Sequence, residues 1–220
     1  MKKLVLFGTG DIGELAHWYF TRDAKREVAA FTVDAAYVKE DRRAGLPVVA
    51  FENVHEAFPP ASHDLFVAVS YAKLNTVRRD KYLEAKRRGY AIASYVSSHA
   101  TVLNEGRIGE NCFILEDNTI QPFVTIGNNV TLWSGNHIGH HSTIADHCFI
   151  TSHVVVSGGV TIGERTFIGV NATLRDHVKI GAGCVIGAGS LILKDAPDDS
   201  VHSAPGTEMA RVPASRLRGL

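Results

Sequence analysis

The chain has 220 residues, room for one large or two modest domains, and 45% of them are hydrophobic, enough for a substantial core. Lysine plus arginine equals aspartate plus glutamate at 23 each, which excludes a global field that would recruit nucleic acid or an anionic membrane. The apolar run between Met1-Lys2-Lys3 and Gly8 is too short for a leader and no stretch is apolar for long enough to span a bilayer, so a cytoplasmic protein is expected.

Leu4-Val5-Leu6-Phe7 reads as a short buried strand ending in Gly8-Thr9-Gly10-Asp11-Ile12-Gly13, and the run through Phe20 has apolar residues at helical spacing. G-x-G-x-x-G between a strand and a helix lets a phosphate-bearing ligand approach the backbone and the helix N-terminus. A tight strand-to-helix turn without a ligand fits the same residues. Val28 to Val33 is a second strand ending at Asp34, 21 residues after Gly13, where a carboxylate accepts ribose hydroxyls. The unit is about half the length of a full dinucleotide fold and no hydride-transfer domain follows, so a nucleotide-linked ligand fits better than NAD. Val48-Val49 is a weaker third strand and Leu65 to Val69 a strong fourth. Asn75 to Arg88 is a charged helical stretch with Val77, Tyr82 and Ala85 on its apolar side. The alternation predicts a small parallel α/β domain over residues 1–98, with Ala91 to Val96 leading out of it.

From Val102 to Ile192 every sixth residue is Val, Ile or Leu without a break, sixteen positions in all. A fixed period of six marks a parallel β-helix, with three hexads to a coil and roughly five coils. Inward residues stack every 18 positions, Leu132 above Ile114 and Ile150 above Leu132, so each coil buries its apolar side against its neighbours. Glycine follows the aliphatic residue at 109, 127, 139, 163, 169, 181 and 187, where a positive φ is expected to turn the corner. The coil resembles the left-handed β-helix, an exception to the right-handed crossover. It is expected over 99–193, with a tail over 194–220 that is turn-rich from Asp195 to Ser200 and a short basic helix from Arg211 to Leu220.

The three cysteines, Cys112, Cys148 and Cys184, are 36 residues apart, which is two coils. Neighbours would be roughly 10 Å apart, too far for a disulfide or a shared tetrahedral metal, so they read as space-fillers. Five of the eleven histidines fall between 137 and 153. Most read as outward polar residues, but His140 stands out: it follows inward Ile138 by two, and Gly158 lies three hexads on, one coil above. A base beside a bare backbone amide suits acyl transfer, which needs a proton acceptor and an oxyanion donor. Zinc is the competing use of clustered histidines. The γ-type carbonic anhydrases, also left-handed β-helices, use His-x4-His, and no two histidines here are five apart; no metal is expected. Trp133 and Asn136 precede His140 in the strand run and are expected to line the substrate side, with a subunit contact as the equal alternative for Trp133.

Taken together, these motifs resemble the bacterial sugar O-acyltransferase family, which includes sialic acid O-acetyltransferases, and are most similar to its N-acetyltransferases of UDP- or dTDP-linked 4-amino-dideoxy sugars. The resemblance spans nearly the whole chain: a half-Rossmann-like α/β domain, a left-handed β-helix and a short tail. It implies an acetyl-CoA-dependent homotrimer with active sites between neighbouring coils, acting on the amine of a nucleotide sugar in cell-surface polysaccharide synthesis. Acetylation of a sugar hydroxyl is the alternative, and a non-catalytic nucleotide-sugar-binding module a further one. His140-His141 matches the family's catalytic His and the acidic residue after it, making His140 the general base; Asp146, one hexad on, is a substitute for the missing carboxylate. Gly158 matches the amide that binds the thioester oxygen, and Gly159, Phe149, Asn171, Ala188 and Lys194 are assigned to acetyl-CoA. Phe149 stands where the family often has a histidine. Lys194 meets a CoA phosphate or is an ordinary solvated lysine. Gly8, Thr9, Gly10, Asp11, Ile12, Gly13, Asp34, Ser70, Tyr71 and Lys73 match the nucleotide-sugar cradle.

Overall fold

The structure, a computed structural model, describes residues 2–209 together with Arg211 and Arg216; the terminal helix expected over 211–220 lies outside the described residues. The first apolar runs form parallel strands buried on both faces, which is why they are continuous rather than alternating. With a short polar edge strand they complete a sheet of β1 (Lys3–Phe7), β2 (Val28–Val33), β3 (Arg42–Arg43), β4 (Leu46–Ala50) and β5 (His63–Val67), ordered β3-β4-β2-β1-β5. Only β3 runs antiparallel, as a short hairpin with β4. The helices are α1 (Asp11–Arg22), α2 (Val54–Ala57) and α3 (Thr76–Arg87). The fourth expected strand begins two residues earlier and ends two earlier, because β5 pairs with β1 from Lys3–His63 to Phe7–Val67. Ala68 onward leaves the sheet.

One apolar cluster of this domain, with Leu4, Leu6, Phe20, Phe31 and Phe66, continues into Tyr95, Phe113 and Leu115 of the next, so the two domains share a core. A second, with Val5, Phe7, Phe51 and Tyr82, fills the other side of the sheet.

The hexads form a triangular coil of two-residue strands. Seven strands make the first face, from Tyr95–Val96 through Phe113–Ile114 and Phe149–Ile150 to Val201–His202. Six make the second, including His137–Ile138, and four the third, including Thr143–Ile144. Each strand pairs with the one three hexads on, as in Leu132–Ile150 and Ile138–Val156. From Ile114 to Ile192 the inward aliphatic positions are at most 6% exposed, each burial contributing roughly 1.5–3 kcal/mol.

Two sequence boundaries differ from this. Pairing starts at Tyr95, before the expected start at 99, because Tyr95 and Val96 pair with Phe113 and Ile114. It runs past 193 to His202: Val185 pairs with Val201, so the final repeat is shorter than the others.

The glycines after the aliphatic positions are not the corner-turning residues. None of the seven has positive φ. That burden falls two residues later, at Glu105, Asn111, Asp117, Phe123, Asn129, Gly135, His141, His147, His153, Gly159, Arg165, Asn171, His177, Gly183 and Gly189, with φ between 55° and 79°. Six of the seven are glycine for want of space, Gly187 being the looser exception: a β-carbon on Gly139 would be 2.6 Å from Ser157 C, and one on Gly163 2.5 Å from Ala182 N. Several histidines of the cluster therefore occupy left-handed corner positions, where Asn, Asp, His and Gly are at home.

The cysteines fill space as expected. All three are free and buried, their Sγ atoms within 3.1–3.2 Å of the carbonyls of Gly127, Gly163 and Pro197. Burial pushes the thiols of Cys112 and Cys148 up to about 12, which leaves them unreactive.

Candidate active site

A groove of about 1060 Å³ opens above the carboxyl ends of β1 and β2, where parallel α/β sheets bind ligands. Gly8, Thr9, Gly10, Asp11, Ile12, Asp34, Ser70 and Tyr71 line it, all residues singled out in the sequence. Gly10 caps α1, and a β-carbon there would meet nothing within 4 Å, so the groove reaches the helix terminus without obstruction. Trp133 lines the groove from the coil's first face.

Gly13 is not part of the lining. It is glycine because a β-carbon would collide with the Gly8 carbonyl, a helix-packing constraint. Lys73 is also outside it, exposed at φ 49°. Asn136 is 1% exposed, bonded to Asn118, Trp133 and Val154, so it faces the coil interior rather than a sugar.

Lys81, which sequence reading missed, lines the groove and donates to Asp34 Oδ1 at 2.6 Å and Glu84 Oε2 at 3.1 Å. Burial disfavours its charge, but the bonds to the two carboxylates more than offset this and its pKa is raised. It lies four residues after Val77, the helix period that carries both to the groove. The ion pair thus occupies one oxygen of the Asp34 carboxylate, and Oδ2 makes no hydrogen bond among the described residues.

His140 is exposed at the corner between the second and third faces. Its ring lies over Gly158: a β-carbon there would be 2.7 Å from Cε1 and 2.8 Å from Nε2. The stacking inferred from the hexad phase is present. The amide is not bare, however. Gly158 N–H donates to Asp176 Oδ1 at 2.8 Å, which removes the expected oxyanion donor. The cause is a ladder in which side chains two residues past an aliphatic position accept the amide one coil below, as in Glu110 N–H to Asn128 (3.1 Å), Asn128 N–H to Asp146 (2.8 Å) and Ala182 N–H to Asp198 (2.8 Å). Gly158 has no side chain to accept the His140 amide, which instead donates to Gln121 Oε1 at 2.8 Å. The aspartate one coil past Gly158 was the overlooked signal.

Asp146 does not substitute for the missing carboxylate. It sits at the next corner and accepts from Asn128. His141 takes that place, its Nδ1 at 3.1 Å from His140 Nδ1, with its ring 4.7 Å from that of Phe123.

Phe149 does not face a thioester. It is 1% exposed on the first face, 5.1 Å from the Tyr71 ring and 5.3 Å from the Arg78 guanidinium. Asn171 and Ala188 are exposed at the corner between first and second faces, and Lys194 is exposed where the repeat shortens on the His140 side. Gly159 donates to the His140 carbonyl at 2.8 Å. Phe149, Asn171 and Ala188 do not converge on His140 within one chain, whereas Gly159 bonds it directly and Lys194 shares its corner of the coil. Among the described residues, no group of three His, Cys, Asp or Glu side chains is placed to hold a metal ion, and no helix is long and apolar enough to cross a membrane.

Residues 106–139, 124–158 and 159–194 match the family model described as bacterial transferase hexapeptide (six repeats). Among solved structures, the chain is similar to a mutant of perosamine N-acetyltransferase from Caulobacter crescentus in complex with CoA and GDP-perosamine. Identity is 25%, 93% of this chain and 94% of that one are covered, and the TM-score is 0.82. The acetyltransferase domain of PglB from Neisseria gonorrhoeae in complex with acetyl coenzyme A follows at 22% identity, covering 92% and 96%, with a TM-score of 0.81. WeeI from Acinetobacter baumannii is 19% identical, covering 91% and 96%, with a TM-score of 0.77. No curated protein sequence matches the chain. The coil is thus the left-handed parallel β-helix that the hexad period implied, and the α/β domain before it is shared with these structures.

Proposed function

We propose that this chain, a sugar acyltransferase of the hexapeptide type, transfers the acetyl group of acetyl-CoA to the amine of a nucleotide-linked amino-dideoxy sugar, with His140 as general base. The observation that carries this is the exposed His140 imidazole over a side-chain-free Gly158, its other nitrogen held by His141. For Nε2 to accept a proton, Nδ1 must carry one, and His141 Nδ1 is the acceptor that fixes this tautomer. The neutral amine attacks the thioester carbonyl, a C–N bond forms and the C–S bond breaks. The proton shed by nitrogen passes through His140 Nε2 to the departing sulfur. The serines found beside a histidine, Ser62 with His63 and Ser200 with His202, neither line the groove nor bond His140, so they support no acyl-enzyme route at this site.

The groove supports a nucleotide-sugar ligand: a helix terminus for the phosphates, Asp34 for a ribose hydroxyl and Lys81 as the cation in the lining. It opens on the first face, whereas His140 is at the corner opposite that face. A hexad side reaches at most ~20 Å, so the two are separated by roughly 15 Å of packed coil. Packed coil fills the direct path between them, which favours a substrate in the groove reaching His140 of a neighbouring copy over that of its own chain. We therefore infer that the site forms between copies, the groove of one facing His140 of the next, in a contact that closes as a homotrimer.

The test is thiol release from acetyl-CoA with UDP-, dTDP- and GDP-linked amino sugars and their hydroxyl analogues. The proposal expects turnover with an amino sugar and none with its hydroxyl analogue. Turnover with the hydroxyl alone would reassign the chain to O-acetylation, and no turnover with any would overturn the reading.

A further inference from the structure

The loop that edges the groove is held at both ends by the coil. At its start, Asn111, a left-handed corner residue, accepts Val67 N–H at 2.8 Å and donates to the Val67 carbonyl at 3.2 Å. At its end, Asn75 is fully buried and donates to the Arg165 carbonyl at 3.0 Å. Between them Tyr71 packs on Phe149 and Phe167, with centroids 5.1 and 4.8 Å away. Lys73, Leu74 and Asn75 have φ of 49°, 49° and 63°, three consecutive non-glycine residues in the left-handed region. Such a path costs energy and persists only where the surroundings enforce it.

The enforcement comes from the first turn of α3. Arg78, 1% exposed, donates through Nε to Asn129 Oδ1 (3.1 Å) and through Nη2 to the carbonyls of Asn129 (3.2 Å), His147 (2.9 Å) and Cys148 (3.0 Å). Among these contacts no carboxylate neutralises it, and burial lowers its pKa to about 10, leaving it a cation at neutral pH. A buried guanidinium with no carboxylate on it is an expensive way to hold two domains together. Asn75, Arg78 and Tyr82 are spaced as one helical stripe, plugged into the coil; Tyr82 ends it with a 2.8 Å bond to Glu110. Val77 and Lys81 form the other stripe and line the groove.

We propose that Arg78 and Asn75 are positioning residues for nucleotide-sugar binding: they seat α3 in the coil, and so set the strained loop and the Lys81–Asp34 pair that shape the groove. This rests on the reading of the groove as a nucleotide-sugar site. Neither residue touches the ligand, so their loss acts on substrate affinity and not on the acetyl-CoA side.

The experiment is steady-state kinetics and direct UDP, dTDP and GDP binding by calorimetry, on the intact protein and on Arg78→Lys, Asn75→Gly and, as a control, Tyr82→Phe. Arg78→Lys keeps the charge but loses the fork, and Asn75→Gly keeps the left-handed backbone but loses the side-chain bond. The expected result is a rise of about tenfold or more in KM for the nucleotide sugar, with a parallel loss of nucleotide affinity. The same variants should leave kcat and KM for acetyl-CoA within about twofold, and Tyr82→Phe, which keeps the buried ring and loses only the hydroxyl bond at the end of the stripe away from the strained loop, should match wild type in nucleotide binding. Lower thermal stability with unchanged nucleotide affinity in Asn75→Gly or Arg78→Lys would overturn the positioning role alone. If Arg78→Lys does not fold, Asn75→Gly decides. Failure of the wild-type protein to bind any of the three nucleotides would overturn the reading of the groove and this inference with it.

Discussion

The imidazole of His140 occupies the space that a side chain on Gly158 would need, within 2.7–2.8 Å of where a β-carbon would sit. Glycine there is a condition for the ring's position. Gly158→Ala should fold, because a histidine ring on a flexible side chain can swing aside. Its kcat should drop by about 100-fold through misplacement of the base, as measured by initial-rate kinetics beside a melting curve. Unchanged kcat would remove Gly158 from the account.

In the proposed mechanism His141 fixes the His140 tautomer, and it does so from a position with φ 59°. Glycine suits that backbone and removes the acceptor. His141→Gly should keep its melting temperature near wild type and lose about tenfold in kcat, less than the roughly 10²–10⁴-fold of losing the base itself, because only the orientation of the base is disturbed. His141→Asn, which tolerates the same φ and supplies an amide oxygen, should fall between the two.

The reassigned corner chemistry makes opposite predictions for two glycines. At Gly169 a β-carbon would be 2.5 Å from Ala188 N, so Gly169→Ala should cost about 1–3 kcal/mol in urea unfolding. Gly189 has φ 68° and nothing within 4 Å of a β-carbon, so Gly189→Asn should change stability by less than about 1 kcal/mol. The reverse order would restore the corner-turning role to the glycines after the aliphatic residues.

His147 is 7% exposed, and its Nδ1 lies 2.9 Å from Asn129 Nδ2, which requires an unprotonated acceptor. Burial lowers its pKa from 6.5 and Arg78 pushes the same way, against the pull of Asp146 and Glu164. The folded state therefore binds fewer protons than the unfolded chain. Stability is full above about pH 6.5 and declines as pH falls through the lowered folded value. Urea midpoints at pH 7.5 and 5.0 should fall more for wild type than for His147→Asn, which keeps an acceptor and the left-handed backbone.

The coil was readable because its inward positions repeat without exception, and a period of six has no rival interpretation in helices or free strands. The groove was readable for the same reason: Gly8, Gly10 and Asp34 sit at fixed offsets from apolar strands. What escaped was polar and long-range. Arg78 looks like one more charge on a charged helix, since three of its four acceptors are backbone carbonyls 51–70 residues away that carry no side-chain signature. The left-handed column was hidden because Glu, Asn, Asp, Phe, His, Arg and Gly all occupy it. Asp176 was within reach of phase counting, and overlooking it left the Gly158 amide wrongly free.

The most direct test of a site shared between copies mixes two defective chains. His140→Ala alone should lose about 10²–10⁴-fold in thiol release. Gly10→Phe alone should be inactive, because the ring has room at Gly10 but fills the groove. Co-assembled in equal amounts, the two should recover about a quarter of wild-type activity, since one site in four pairs an intact groove with an intact His140 in a closed ring. A mixture no more active than its separate components would contradict the account.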